Sequence, residues 1–247
     1  VSGHSKWSTI KRKKAAIDAK RGKIFTKILK EITVAAKAGG GDPDANPRLR
    51  LAITTAKSNN MPMDNINRAI KKGTGELEGV NYEEMNYEAY GPHGVAVIIE
   101  CLTDNKNRTV ADLRHIISKN GGNMGESGSV AWMFERKGVF SIKKSVIGED
   151  DLMEIVLEAG ADDLKSEDDE YYEVISAVEK FDEVRKTLEA KNIEIDEASL
   201  QYLAKDMIEK DGKEAEDVIK FVEAIEDNDD VQNVFSNADL EVEEQAG

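Results

Sequence analysis

The side chains best placed to do chemistry in this sequence are cations, and the chemistry they suit is neutralisation of phosphate. Residues 6–37, KWSTIKRKKAAIDAKRGKIFTKILKEITVAAK, hold eleven Lys/Arg against two acids, Asp18 and Glu31, in a 247-residue chain of formal net charge −15. Lys11, Arg12, Lys13 and Lys14 form a block, with Lys6 before it and Lys20, Arg21, Lys23, Lys27 and Lys30 after it. Cations this close repel one another unless an anion lies opposite, so the stretch points to a polyanionic backbone as its partner. A face of mixed sign would instead read as solvated surface.

The asymmetry extends over the whole chain. Residues 1–80 carry 17 basic and 7 acidic side chains, net +10, whereas residues 81–247 carry 17 basic and 42 acidic, net −25. A pI near 4.8 therefore averages a basic module and an acidic body. The body repels phosphates, so docking is expected to be oriented.

Other chemistries find little support. His4, His93 and His115 lie far apart and show no zinc spacing. Cys101 sits in an apolar run and reads as a small core residue; as the lone cysteine it cannot form an internal disulfide, which agrees with a reducing compartment. The carboxylates of residues 149–244 are abundant, but none forms a pair in an apolar setting of the kind acid/base work requires. No catalytic residue, metal site or cofactor is expected. The glycine-rich segment NGGNMGESGSV, residues 120–130, lacks G-x-x-x-x-G-K-[ST] and follows a helix into a strand, the reverse of a P-loop. It reads as a connecting loop, with a partner-contacting loop as the alternative. No run reaches the 18 or so apolar residues of a membrane span, and no signal peptide is evident, so a cytoplasmic protein with no membrane partner is expected.

These residues must be positioned by elements. At about 100° per residue, Ile24, Phe25, Ile28, Leu29, Ile32, Ala35 and Ala36 share one arc, predicting a helix over 23–38 with Lys23, Lys27, Lys30 and Lys37 facing water. Residues 8–20 read as a shorter helix, with Gly22 as a break. Asn46 and Pro47 look like the N-cap and first position of a helix over 47–59, burying Leu49, Ala52, Ile53 and Ala56 and showing Arg48, Arg50 and Lys57. A further helix from Pro62 to Gly73 shows Arg68, Lys71 and Lys72. These cations complete the expected nucleic-acid-binding set.

After a linker at 73–81 the pattern alternates. Strands are predicted at 94–102, 129–135 and 138–144, with a helix at 107–119 between the first two. A helix at 149–159, strands at 161–165 and 171–178, a helix at 180–191 and a strand from 193 follow. The last unit is a strand near 200–208, a helix at 213–226 and a strand at 231–236. The expected fold class is α+β: a helical N-terminal domain followed by two ferredoxin-like α+β domains, one inserted in the other. The expected domains are a basic helical nucleic-acid-binding domain (1–80), a discontinuous α+β domain (81–137 plus 199–247) and an inserted acidic ferredoxin-like domain (138–198).

The stretches GHSKW (3–7), KRGKIFTKILKEI (20–32), GGGDPDANPRLR (39–50), NMPMDNINRAIKKGTGE (60–76), YGPHGVAVIIECLTDNKNRT (90–109) and GGNMGESGSVAWMFERKG (121–138) give a more specific signal. Through them the chain resembles the YebC family of bacterial proteins and its mitochondrial relatives, the translational activators of cytochrome c oxidase. The resemblance covers most of the first 138 residues and continues mainly as pattern in the acidic part. It implies three domains without enzymatic activity, in proteins described both as DNA-binding transcriptional regulators and as ribosome-associated factors that assist translation of difficult stretches such as consecutive prolines. Departures are small: Arg12 and Met63 stand where members vary, and His93 where glycine is common.

Cations in blocks suit phosphates and shape, whereas base reading calls for Arg, Asn or Gln set against base edges, commonly in a symmetric dimer. The expected partner is therefore nucleic acid, with ribosomal RNA or tRNA and the ribosome favoured and duplex DNA the alternative.

Overall fold

The computed structural model describes residues 21–240. Three helices open it: α1 (Arg21–Gly39), α2 (Pro47–Ser58) and α3 (Met63–Thr74). Their apolar stripes meet in one cluster, with Ile28, Ile32, Ala35 and Ala36 of α1 against Leu49, Ala52 and Ala56 of α2 and Ile66 and Ala69 of α3. Asn46 organises the α1–α2 turn. Its Oδ1 accepts from Leu49 N at 3.1 Å, capping α2, while its Nδ2 donates to the carbonyls of Ala35 (2.8 Å) and Gly40 (2.9 Å) at the end of α1. One side chain thus satisfies orphan groups at two helix ends. Helices α1 and α3 touch most closely at Gly73, where a Cβ would lie 2.4 Å from Thr33 O, so only glycine permits this approach.

A four-stranded antiparallel sheet follows, in the order β3-β1-β2-β9, with β1 (Glu83–Tyr90), β2 (Ala96–Thr103), β3 (Asn123–Met124) and β9 (Val231–Ser236). Helix α4 (Lys106–Lys119) connects β2 to β3, and α7 (Gly212–Glu226) precedes β9. Strand β2, AVIIECLT, is buried on both faces. Val97, Ile99 and Cys101 join Leu113 and Ile117 of α4 and Val218, Phe221 and Val222 of α7. Ala96 and Ile98 point the other way, toward Val130, Phe134 and Phe235. Burial on two sides explains why this strand reads as a continuous apolar run.

The second four-stranded sheet is ordered β5-β6-β4-β7, from β4 (Phe134–Lys143), β5 (Ala161–Lys165), β6 (Tyr171–Ala177) and β7 (Glu197–Ala204). Helices α5 (Glu149–Glu158) and α6 (Phe181–Ala190) complete a β-α-β-β-α-β unit drawn entirely from residues 134–204. Phe140 stacks on Phe181 at 4.7 Å within its core. Gly138 makes that approach feasible, because a Cβ there would meet Phe181 Cδ2 at 2.4 Å. The first sheet takes strands from both sides of this segment. A short parallel pair, β8 (Ile208–Lys210) with β10 (Ala238–Leu240), ends the described chain. The architecture is α+β, with a helical N-terminal region ahead of antiparallel sheets that carry helices.

Several strand expectations change. The strands expected at 129–135 and 138–144 are one strand, β4, preceded by a 3₁₀ turn at Ala131–Met133. Gly138 does not interrupt it, since its missing side chain accommodates Phe181. The strand expected near 200–208 is the end of β7, which pairs with β4 as far as Phe134↔Ala204. Strand β1 was not expected at all. The helix expected over 8–20 lies outside the described residues.

Candidate nucleic-acid interface

Of the four α1 lysines expected to face water, Lys23 and Lys37 are exposed, Lys27 is half-buried and Lys30 is buried. Lys23, Lys27 and Lys30, spaced i, i+4 and i+7 on one helix face, close on the C-terminal end of α7 and the turn after it. Lys23 Nζ contacts Asp227 Oδ1 at 3.1 Å and its carbonyl at 3.2 Å, and Lys27 Nζ donates to Glu226 O at 2.9 Å. Lys30 Nζ donates to Asp229 O at 2.7 Å, Leu102 O at 3.3 Å and Asp230 Oδ1 at 3.1 Å. Unpaired carbonyls at a helix C-terminus carry partial negative charge, so cations there are stabilising. The expectation that Lys30 faces water is corrected: it is 8% exposed, because Asp230 Oδ1 and the carbonyls of Leu102 and Asp229 draw its ammonium inward.

Asp230 is the hub of this contact. Beyond Lys30 it accepts from Arg108 Nη2 (2.7 Å) and Thr109 Oγ1 (2.8 Å), and Thr109 also bonds Thr103 Oγ1 at 2.7 Å. Burial alone would raise its pKa, but the bonds from Arg108, Thr109 and Lys30 outweigh burial and hold the carboxyl below the usual range. A buried carboxylate paired and hydrogen-bonded in this way joins the helical region to the first sheet.

Two arginines of α2 are likewise engaged inside the protein. Arg48 grips Glu31 through Nε (2.7 Å) and Nη2 (3.1 Å) and reaches Glu84 with Nη1 (2.7 Å), tying α2 to α1 and β1. Arg50 reaches Asp182 of α6 at 2.9 Å, and Leu51 packs on the core of the second sheet. Asp182 also accepts from Lys186 and Arg185; against burial, these bonds and Arg50 hold its carboxyl well below the ordinary value.

The outward cations are Lys57 at the end of α2 and Arg68, Lys71 and Lys72 on α3. All four are exposed, and among the described residues none of them makes an ion pair. The expected site residues thus divide. Lys23, Lys27, Lys30, Arg48 and Arg50 make internal contacts, Lys57, Arg68, Lys71 and Lys72 face solvent, and Lys6, Lys11, Arg12, Lys13, Lys14 and Lys20 lie outside the described residues, as does the side chain of Arg21.

The glycine-rich loop is already occupied. Glu88 of β1 accepts from the backbone amides of Gly128 (2.6 Å), Val130 (2.7 Å) and Ala131 (2.8 Å), the groups a phosphate cradle would offer. Although burial works the other way, these bonds lower the Glu88 pKa. Trp132 next to them is 65% exposed. Cys101 is buried, which pushes its thiol up to about 12 and leaves it unreactive at neutral pH. Among the described residues no group of three or more His, Cys, Asp or Glu is arranged to hold a metal, and no helix is long and apolar enough to cross a membrane.

Comparison with known proteins agrees with this architecture. Residues 5–76 match the TACO1/YebC protein N-terminal domain, and residues 82–238 match the TACO1/YebC second and third domain. A "Probable transcriptional regulatory protein" of Chlorobaculum parvum is 58% identical over 240 residues, spanning 97% of this chain and 96% of its own. A protein of the same description from Chlorobium phaeobacteroides is 58% identical over 246 residues, with 100% and 98% covered. Among solved structures, a conserved hypothetical protein from Aquifex aeolicus superposes with a TM-score of 0.85 at 42% identity, over 95% of this chain and 96% of that one.

Proposed function

Because the chain belongs to the TACO1/YebC family, we propose that it is a non-enzymatic, nucleic-acid-binding regulator of gene expression that acts on RNA at the ribosome. The observation that carries this reading is the set of exposed cations on α2 and α3, Lys57, Arg68, Lys71 and Lys72, that make no ion pair with another described residue, in a chain of net charge −15. Unpaired lysine and arginine on a helical surface suit sequence-independent contact with phosphates. The block Lys11, Arg12, Lys13 and Lys14, with Lys6, Lys20 and Arg21, extends the same basic module in sequence. Structured RNA, ribosomal or transfer, is favoured because blocks of cations read shape and backbone rather than base edges. Assistance at difficult stretches such as consecutive prolines is the corresponding cellular role.

The relatives' names favour a second reading, a DNA-binding regulator of transcription. The two are separated by sedimenting the full chain with ribosomes after nuclease has removed all DNA. Co-sedimentation that is reversed by salt is expected. A protein that stays in the supernatant yet retains duplex DNA at the same ionic strength would shift the assignment to transcription.

A further inference from the structure

Helices α1 and α3 touch at Gly73, and a cleft of about 340 Å³ lies along the two helices beside this contact. Thr26, Leu29, Lys30 and Thr33 line one side, an i, i+3, i+4, i+7 stripe of α1. Asn65, Arg68, Ala69 and Lys72 line the other, the same stripe on α3. Val80 and Tyr82 close the cleft as the chain returns past α1, tethered there by Lys37 Nζ donating to Asn81 Oδ1. The Lys30 ammonium lies 5.3 Å from the Tyr82 ring centroid.

The chemistry of this lining is specific. None of the described lining side chains is acidic, in a chain with 49 Asp and Glu. Lys30 is neutralised by Asp230, but Arg68 and Lys72 make no ion pair with another described residue. The cleft therefore combines two free cations at its rim, the amide of Asn65 and the hydroxyl of Thr26, and an apolar and aromatic wall of Leu29, Val80 and Tyr82. Its volume lies at the lower end of the roughly 300 to 1,000 Å³ of small-ligand sites, enough for a single nucleotide but not for a duplex edge.

We propose that this cleft receives one unpaired nucleotide of a single-stranded or looped RNA, with Arg68 and Lys72 on its phosphate and the base against Tyr82 and Leu29. Lys71, the neighbour of Lys72, remains free for the phosphate of an adjacent nucleotide, so a strand rather than a free mononucleotide is the occupant. The inference rests on the reading of the basic helices as a polyanion surface and names the form of nucleic acid they take.

The test measures anisotropy of the full chain with a fluorescein-labelled ten-nucleotide oligouridylate and with the same RNA annealed to its complement. Stacking on an aromatic side chain predicts single-strand affinity about five- to 150-fold above duplex affinity. Thr26→Trp, which fills the cleft without changing charge, and Tyr82→Leu should each reduce the single-strand affinity to the duplex level. The duplex affinity and its salt dependence should stay unchanged, and Tyr82→Phe should retain the preference. Uridine 5′-monophosphate binding as tightly as the decamer would overturn the strand assignment. Equal affinity of the wild-type chain for both RNAs, or an unchanged preference in both variants, would overturn the cleft while leaving the phosphate-docking reading intact. Absence of binding to either RNA would remove that reading and the cleft together.

Discussion

Helices α1 and α3 carry cations at the same spacing on neighbouring elements, and those cations end in opposite situations. Lys23, Lys27 and Lys30 hold the end of α7 and the turn after it. Arg68 and Lys72 face solvent and make no ion pair with another described residue. An i, i+4 pair of cations recurs on both helices, Lys23 with Lys27 and Arg68 with Lys72; what differs is the element that packs over each. The turn at 227–230 lies across α1 and brings Asp230, 200 positions from Lys30, into bonding distance. Among the described residues no such acidic segment lies over the cations of α3, and the comparison shows that a cationic helix face stays open to solvent only where the fold leaves it uncovered.

This contrast is open to attack at four points, beginning with the largest expected effect. Lys30→Ala leaves Asp230 short of a partner in a buried setting and should cost about 3 to 5 kcal/mol in denaturant unfolding. Stability equal to wild type would show that the clamp is no stronger than a surface contact. Next is acid sensitivity. The Asp230 carboxyl titrates below its ordinary value in the folded protein, so its contribution is fully present above the unfolded value of about 3.9 and is lost as pH falls through the lower, folded one. Asp230→Asn should therefore flatten the acid limb of a Tm profile below about pH 4; an unchanged limb would remove Asp230 from the hub.

The outward cations should behave conversely. The Arg68→Ala, Lys72→Ala double variant should stay within about 0.5 kcal/mol of wild-type stability. In a salt titration on RNA its log-log slope should shrink by about 1.4 to 1.8 units, two phosphate contacts being lost. A stability loss with an unchanged slope would reverse the roles assigned to the two helices. The smallest effect is expected for Lys23→Ala, whose partner Asp227 is exposed: at most about 1 kcal/mol, screened by salt.

Much of the framework was legible because local signals were strong. The Asn46-Pro47 start of α2, the helix ending near Gly73 and the strands at 161–165 and 231–236 lie where caps and apolar periodicity put them. Strand β1 escaped notice although Met85, Tyr87 and Ala89 alternate with Glu84, Asn86 and Glu88. It lies between the linker expected at 73–81 and the strand expected from 94, and strict period-two counting finds it. The break expected at 136–137 is absent because β4 runs through it, and Gly138 within that strand accommodates Phe181, a contact no local window contains. Within the candidate site, the cationic composition was visible in the sequence. The division into clamped and free cations was not, because it depends on acids far along the chain and on the turn that delivers them.

The doubly buried strand β2 also sets a timetable for folding. Its hairpin with β1 forms from adjacent sequence, but its other edge pairs with β9, from Val97↔Ser236 to Cys101↔Val231. At a synthesis rate of about 5 to 20 residues per second, that edge waits on the order of ten seconds for its partner. The second sheet, whose pairings all fall within residues 134–204, can close in the meantime. During that interval an apolar strand edge is open, the kind of surface that invites pairing with another chain. Pulsed hydrogen exchange during refolding should show amides of β4 and β6 protected before those of β9, with the unpaired edge of β2 the point at which chaperones or aggregation compete with the native fold.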